Sequence, residues 1–192
     1  MPDQNNAALD FLLTRQSRPA KTFTLPVPSR DELIPLLTAA SRVPDHGKLE
    51  PWRFIVLEKP ALRRLADLAE ARAAEKGLDA EQVAKGRGQF DASHLAVVVV
   101  ASPKPSEKIP EIEQTLSAGA ACLALLNAAT AAGWGANWLS GWPSYDRRFL
   151  EQGLGLAPEE FVAGIVHIGT APLTPPDRPR PDLGRIVSWV GA

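Results

Sequence analysis

The run Leu95-Ala-Val-Val-Val-Val100 limits the possible folds more than any other stretch of the chain. It has no polar position, so it cannot present one face to water. A strand of this kind is stable only when both faces are covered, which requires a layer on each side of a sheet. Residues 52–58, Trp-Arg-Phe-Ile-Val-Leu-Glu, read as a second strand, with Phe54, Val56 and Glu58 on one face and Arg53, Ile55 and Leu57 on the other. Residues 134–140 and 161–169 read as two more.

Helical segments separate these strands. Residues 7–15 place Ala8, Phe11, Leu12 and Arg15 near one face. Residues 17–28 form a loop or extended arm, because Pro26 and Pro28 disfavour helix. Ser29 caps a helix over 30–41, and Glu32 completes a capping box. Pro35 is compatible with that helix only if it starts late. Pro60 opens a helix that ends near Gly77, and Asp79 caps another through residue 89. Residues 111–132 form a long helix, apolar nearly all round in its second half, which Gly133 ends. Residues 145–152 are helical, with Gly153 and Gly155 as stops. Residues 170–192 are Pro-rich and extended. Strands alternating with helices point to an α/β or α+β domain over residues 1–192, with helices on a central sheet. A helix as apolar as 116–132 needs cover on every side, which favours a homodimer.

At 192 residues the chain fits one domain with a sizeable core. With 21 basic and 22 acidic residues it has no field or basic block suited to nucleic acid or an anionic membrane. A single cysteine, Cys122, excludes an intrachain disulfide and a cysteine-rich metal site. The N-terminus lacks the basic region and apolar run of a secretion signal, and residues 116–132 suit a buried helix better than a bilayer span. The expected location is cytoplasmic.

Hydrolytic and metal chemistry find little support. There is no Gly-x-Ser-x-Gly or Ser-x-x-Lys. His46, His94 and His167 have no metal-ligand spacing. The phosphate-binding Gly-x-x-x-x-Gly-Lys pattern is missing, and Gly86-Arg-Gly88 precedes a strand instead of following one. What remains is a set of cationic and amphipathic residues at element ends: Arg15-Gln-Ser-Arg18, Arg42 with His46, Trp138-Leu-Ser-Gly141, and Arg178-Pro-Arg180. Such groups suit a ligand with an anionic phosphate and a flat polar ring, and flavin mononucleotide (FMN) has both. Each residue also has a plainer reading. Arg15 and Arg18 are cations at a helix C-terminus. His46 can cap a carbonyl, Trp134 and Trp138 can be core aromatics, and Arg178 and Arg180 can be a solubilising tail. His94 and His167 read as structural.

Four stretches, in order, give the chain an end-to-end resemblance to the nitroreductase family of FMN-dependent oxidoreductases, closest to its short bacterial NAD(P)H nitroreductase subgroup. They are Arg15-Gln-Ser17, Arg42-Val-Pro-Asp-His-Gly-Lys-Leu-Glu-Pro-Trp-Arg-Phe54, Trp134-Gly-Ala-Asn-Trp-Leu-Ser-Gly141 and Gly164-Ile-Val-His-Ile-Gly-Thr170. The resemblance implies an α+β fold, an α/β/α sandwich with a mostly antiparallel sheet, in an intertwined homodimer. It implies two FMN sites at the dimer interface and hydride transfer from NADH or NADPH, through flavin N5, to nitroaromatic, quinone or similar small-molecule acceptors. By position it assigns Arg15, Gln16, Ser17, Trp138, Leu139, Ser140, Arg178 and Arg180 to FMN, with Arg42 and His46 reaching the partner's FMN. A nicotinamide contact falls on Ala128, Ala129, Thr130, Ala131, Ala132 and Gly133. No protein acid or base and no metal is implied. The chain departs from the family at Gln16, Asp45, Lys48, Glu50 and Leu139. The loss of a cation at Leu139 leaves open a flavin-sequestering protein without efficient turnover. Some relatives dehalogenate aromatics or fragment flavin, and these chemistries also stay open.

Overall fold

A computed structural model describes residues 4–191. At its centre, β2 (Leu95–Ala101) is buried at every position. Leu95, Val97 and Val99 enter one apolar cluster, and Ala96, Val98 and Val100 enter the other. The valine run therefore does what its composition demands and is covered on both faces.

The sheet has four strands in the order β1-β2-β4-β3, from β1 (Trp52–Glu58), β3 (Gly135–Leu139) and β4 (Phe161–Gly169). All neighbours are antiparallel. One helical layer holds α2 (Arg30–Ala40) and α5 (Glu111–Ala131). Leu33, Leu36, Leu125 and Leu126 pack from it onto the first cluster. The other layer holds α3 (Lys59–Glu75), α4 (Ala80–Asp91) and α6 (Arg147–Leu154), with Leu62, Leu65, Phe90 and Phe149 in the second cluster. This is the expected α+β sandwich. The remaining helices are α1 (Asn6–Thr14) and the short α7 (Leu183–Ile186). Among the described residues no helix is long and apolar enough to cross a membrane, and no cluster of His, Cys, Asp or Glu could hold a metal.

Local chemistry explains most boundaries. Ser29 and Glu32 form a full capping box on α2, and Asp79 with Gln82 forms another on α4. Gly155, in the left-handed region at φ 65°, closes α6.

Three local expectations are corrected. The capping box starts α2 at Arg30 and not later, so Pro35 lies inside the helix. Asp146 caps α6, accepting from Phe149 N at 2.8 Å, so residues 142–145 form a separate 3-10 turn. Gly153 is not a stop. It is buried within α6, where a Cβ would fall 2.8 Å from Leu65 Cδ2.

Two carboxylates tie distant elements together, Glu160 at the sheet and Asp146 between α6 and α3. Glu160 accepts a bidentate pair from Arg53 at 2.7 and 2.6 Å, and also Ala157 N–H at 3.0 Å. These bonds, Arg53's first, hold its carboxyl down at about 2 against the opposing effect of burial. Burial would raise Asp146, but Arg72, Phe149 N–H and Lys76 hold it well below the usual carboxylate range. Both pKa values are depressed by folding, so their stabilisation is complete above the unfolded carboxylate pKa of about 4. It is lost as pH falls from there towards 2. The expected result is a urea midpoint that is insensitive to these groups between pH 5 and 7 and falls steeply below about pH 4. An unchanged midpoint at pH 3 would contradict it.

Large apolar side chains are left open on several elements. No residue of α1 is buried, and Leu9, Leu12 and Leu13 are exposed. Ile112, Leu116 and Leu123 of α5 are also exposed, as are Trp189 and Val190 of the C-terminal arm.

Candidate active site

The outer edge of β3 organises the site. Arg18 N–H donates to Ala136 O at 3.0 Å, and Asn137 Nδ2 donates to Arg18 O at 2.5 Å. The segment after α1 is thus laid along that strand. Farther on, Thr24 and Thr170 exchange both backbone bonds at 3.0 Å. The C-terminal arm leaves β4 from there and returns over the same edge.

These elements line an open cavity of about 610 Å³. Arg15, Gln16 and Ser17 line it from the α1 end, Trp138 and Leu139 from β3, and Arg178 and Arg180 from the arm. Lys21, Asn137 and Asp177 complete its polar wall. The arginines are crowded. Desolvation by burial, then the field of Arg180, lowers the Arg15 pKa. Arg180 pairs with Asp177, and Arg15 Nη2 donates to Ser17 Oγ at 3.2 Å. Arg15 Nε and Gln16 Oε1 are buried without a protein partner. A cavity with crowded guanidiniums and unspent polar atoms suits a multiply charged anion that carries a polar ring.

Leu139 also borders two smaller spaces, a cleft of about 450 Å³ and a chamber of about 150 Å³. Ser140 lines that cleft and not the large cavity. Trp138 lies over Gly164 of β4, where a Cβ would fall 2.0 Å from the indole Nε1. Gly164→Ala therefore forces the indole away. The expected cost is about 1–3 kcal/mol, read as a lower urea midpoint at unchanged m-value. A wild-type midpoint would show that the indole is not held there.

Arg42 and His46 lie outside the large cavity in the same chain. Arg42 is exposed, and His46 Nδ1 is 2.7 Å from Glu113 Oε2. Their turn is tightly built. Gly47, Lys48 and Glu50 have φ of 73°, 54° and 48°. For the two non-glycine residues this costs on the order of 1–3 kcal/mol each. Asp45 offsets the strain by accepting from Leu49 N at 3.1 Å and Glu50 N at 2.9 Å. Trp52 Nε1 donates to Ser117 Oγ at 3.1 Å, and Ser117 donates to Pro44 O at 2.6 Å, which pins the turn to α5.

Residues 128–133 cover the end of α5 and the turn after it. Ala129 is in the core, Thr130 Oγ1 bonds Leu126 O, and Gly133 turns the chain at φ 87°. None of the six lines the three spaces. Sequence reasoning missed Lys21 and Gln89, which carry no motif. It passed over Asn137, which lies inside one.

A model of the Nitroreductase family matches residues 13–170. The chain belongs to the nitroreductase family. A Haemophilus influenzae protein named "Putative NAD(P)H nitroreductase" is 38% identical over 165 residues, covering 85% of this chain and 88% of that one. The solved structure of a nitroreductase-like family protein from Bacillus cereus superposes with a TM-score of 0.79 at 24% identity, covering 99% and 98% of the two chains. An FMN-dependent nitroreductase from Clostridium difficile R20291 gives 0.68 at 19%, covering 94% and 98%. These two structures speak to the nitroreductase fold. Family membership makes the chain an oxidoreductase in class.

Proposed function

We propose that this nitroreductase-family chain is a single FMN-binding domain acting as an NAD(P)H oxidoreductase on nitroaromatic, quinone or similar acceptors. One observation carries the reading. The cavity at the β3 edge collects Arg15, Gln16, Ser17, Trp138, Leu139, Arg178 and Arg180 from three distant parts of the chain. Its unspent Arg15 and Gln16 atoms and crowded cations fit the phosphate, ribityl and ring groups of FMN.

In this reading Arg15 and Arg180 hold the phosphate, and Ser17 orients Arg15 through its hydroxyl. Gln16 and Asn137 bond polar ring or ribityl atoms. Trp138 and Leu139 cover apolar ring surface and exclude water. When bound, FMN supplies hydride transfer between NAD(P)H and the acceptor. The apolar faces of α1, α5 and the C-terminal arm fit a homodimer, which also brings Arg42 and His46 to the partner's flavin.

The test is the visible spectrum of the purified protein, before and after anaerobic NADH or NADPH. The expected protein is yellow, releases FMN on denaturation and bleaches with nicotinamide. Bleaching followed by acceptor-dependent reoxidation excludes simple flavin sequestration. A colourless protein that takes up no added FMN would overturn the reading.

A further inference from the structure

The turn at residues 44–51 is held more firmly than a connector needs. Lys48 and Glu50 keep φ at 54° and 48°, and such strain persists where the surrounding contacts over-determine it. Three residues spaced by four, Ile109, Glu113 and Ser117, supply contacts to it. Ile109 packs on Gly47, where a Cβ would collide with its side chain. Ser117 Oγ donates to Pro44 O at 2.6 Å. Between them, Glu113 Oε2 meets His46 Nδ1 at 2.7 Å. Ile109 and Ser117 thus fix the backbone on either side of His46, and Glu113 takes hold of its ring.

The pair decides which ring nitrogen is in use. Glu113 lies in the first turn of α5, where the helix dipole favours a carboxylate. An ionised carboxylate only accepts, so the proton of this bond sits on His46 Nδ1, in the neutral ring and in the imidazolium alike. Nε2 is the nitrogen left for a ligand. A free neutral histidine ring favours its proton on Nε2, and a bond made at Nδ1 reverses that choice. The pair is exposed in the single chain, 64% at His46 and 45% at Glu113, where an ion pair holds weakly. A partner chain over the turn excludes water and strengthens it.

We propose that Glu113 is a positioning residue for His46, which keeps the proton on Nδ1 and presents Nε2 to the partner's flavin. The flavin contact rests on the reading given above; the hold on the ring does not.

The test follows the imidazole ¹⁵N signals of the full chain at pH 8, above the ordinary imidazole pKa of about 6.5. The chain has three histidines, and His46→Ala assigns the signals of His46. Without flavin, the native Nδ1 is expected to give the protonated type of signal. Glu113→Ala should move it towards the unprotonated type in a protein that melts as cooperatively as before. Adding FMN should shift Nε2 and leave Nδ1 protonated. Flavin fluorescence titration then completes a double-mutant cycle. Glu113→Ala should weaken FMN binding about two- to fivefold, the scale of an exposed ion pair, and should have no effect in a His46→Ala background. A merely structural Glu113 would weaken binding equally in both backgrounds. An Nδ1 signal that Glu113→Ala leaves unchanged, an FMN shift on Nδ1 in place of Nε2, or no loss or equal loss of affinity in the two backgrounds would overturn the proposal. A protein that takes up no FMN, while Glu113→Ala still moves Nδ1, would overturn the flavin reading and the flavin contact with it, and would support the hold on the ring.

Discussion

Arg15→Ala is expected to weaken FMN binding by about 10- to 100-fold while leaving the flavin-free fold as stable as before. A hydrogen bond to a charged group contributes about 1.5–3 kcal/mol, which sets that range. The unchanged stability follows from the environment of Arg15. Burial and the field of Arg180 both disfavour its charge in the folded protein. Its hydrogen bond to Ser17 is local and exposed. Removing the side chain therefore relieves repulsion as much as it removes contacts. Arg180→Ala should act in the same direction but less strongly, since Asp177 already shares its charge. Flavin fluorescence titration gives the Kd, and thermal melting of the apoprotein gives the second half. An Arg15→Ala protein that holds FMN as tightly as the native one would overturn the phosphate assignment.

Asp146→Ala should be the most destabilising of the substitutions considered, by about 3–5 kcal/mol, the usual cost of stranding a buried partner charge. Its side chain is 5% exposed and meets Arg72 Nε at 3.0 Å, Lys76 Nζ at 3.0 Å and Phe149 N at 2.8 Å. The substitution removes the cap of α6 and leaves Arg72, itself 8% exposed, with only the more exposed Glu75. At about 2–4 °C per kcal/mol for this chain length, melting should fall by roughly 6–20 °C. Adding Arg72→Met should recover part of the loss by removing the stranded charge. A single variant that melts within 2 °C of the native protein, at the scale about 1 kcal/mol would give, would show that the pair is not structural.

The two layers, the strands β1, β2 and β4 and the capped helices were legible because local chemistry decided them. The valine run has no polar face, and Ser29 with Glu32 and Asp79 with Gln82 are complete capping boxes within four residues. Asp146 was not legible. Its partners Arg72 and Lys76 lie far away in sequence, at separations of 74 and 70. Gly153 was misread for the same reason, since the Leu65 side chain that requires a glycine there comes from α3.

The candidate site divides along the same line. The sequence alone identified the cations and amphipathic groups at element ends, through the spacing of four short motifs, and with them the nitroreductase resemblance. Only the tertiary structure decided which of them meet. Arg15, Gln16, Ser17, Trp138, Leu139, Arg178 and Arg180 share one cavity because residues 15–18 and the C-terminal arm both run along the β3 edge. Ser140 faces the neighbouring cleft, and Arg42 and His46 stand outside the cavity in the same chain. His167 Nδ1 meets Ser93 Oγ at 2.9 Å only because β2 pairs with β4. A residue type reports which bonds a side chain can make. Folding decides which of those bonds are used and which remain for a ligand.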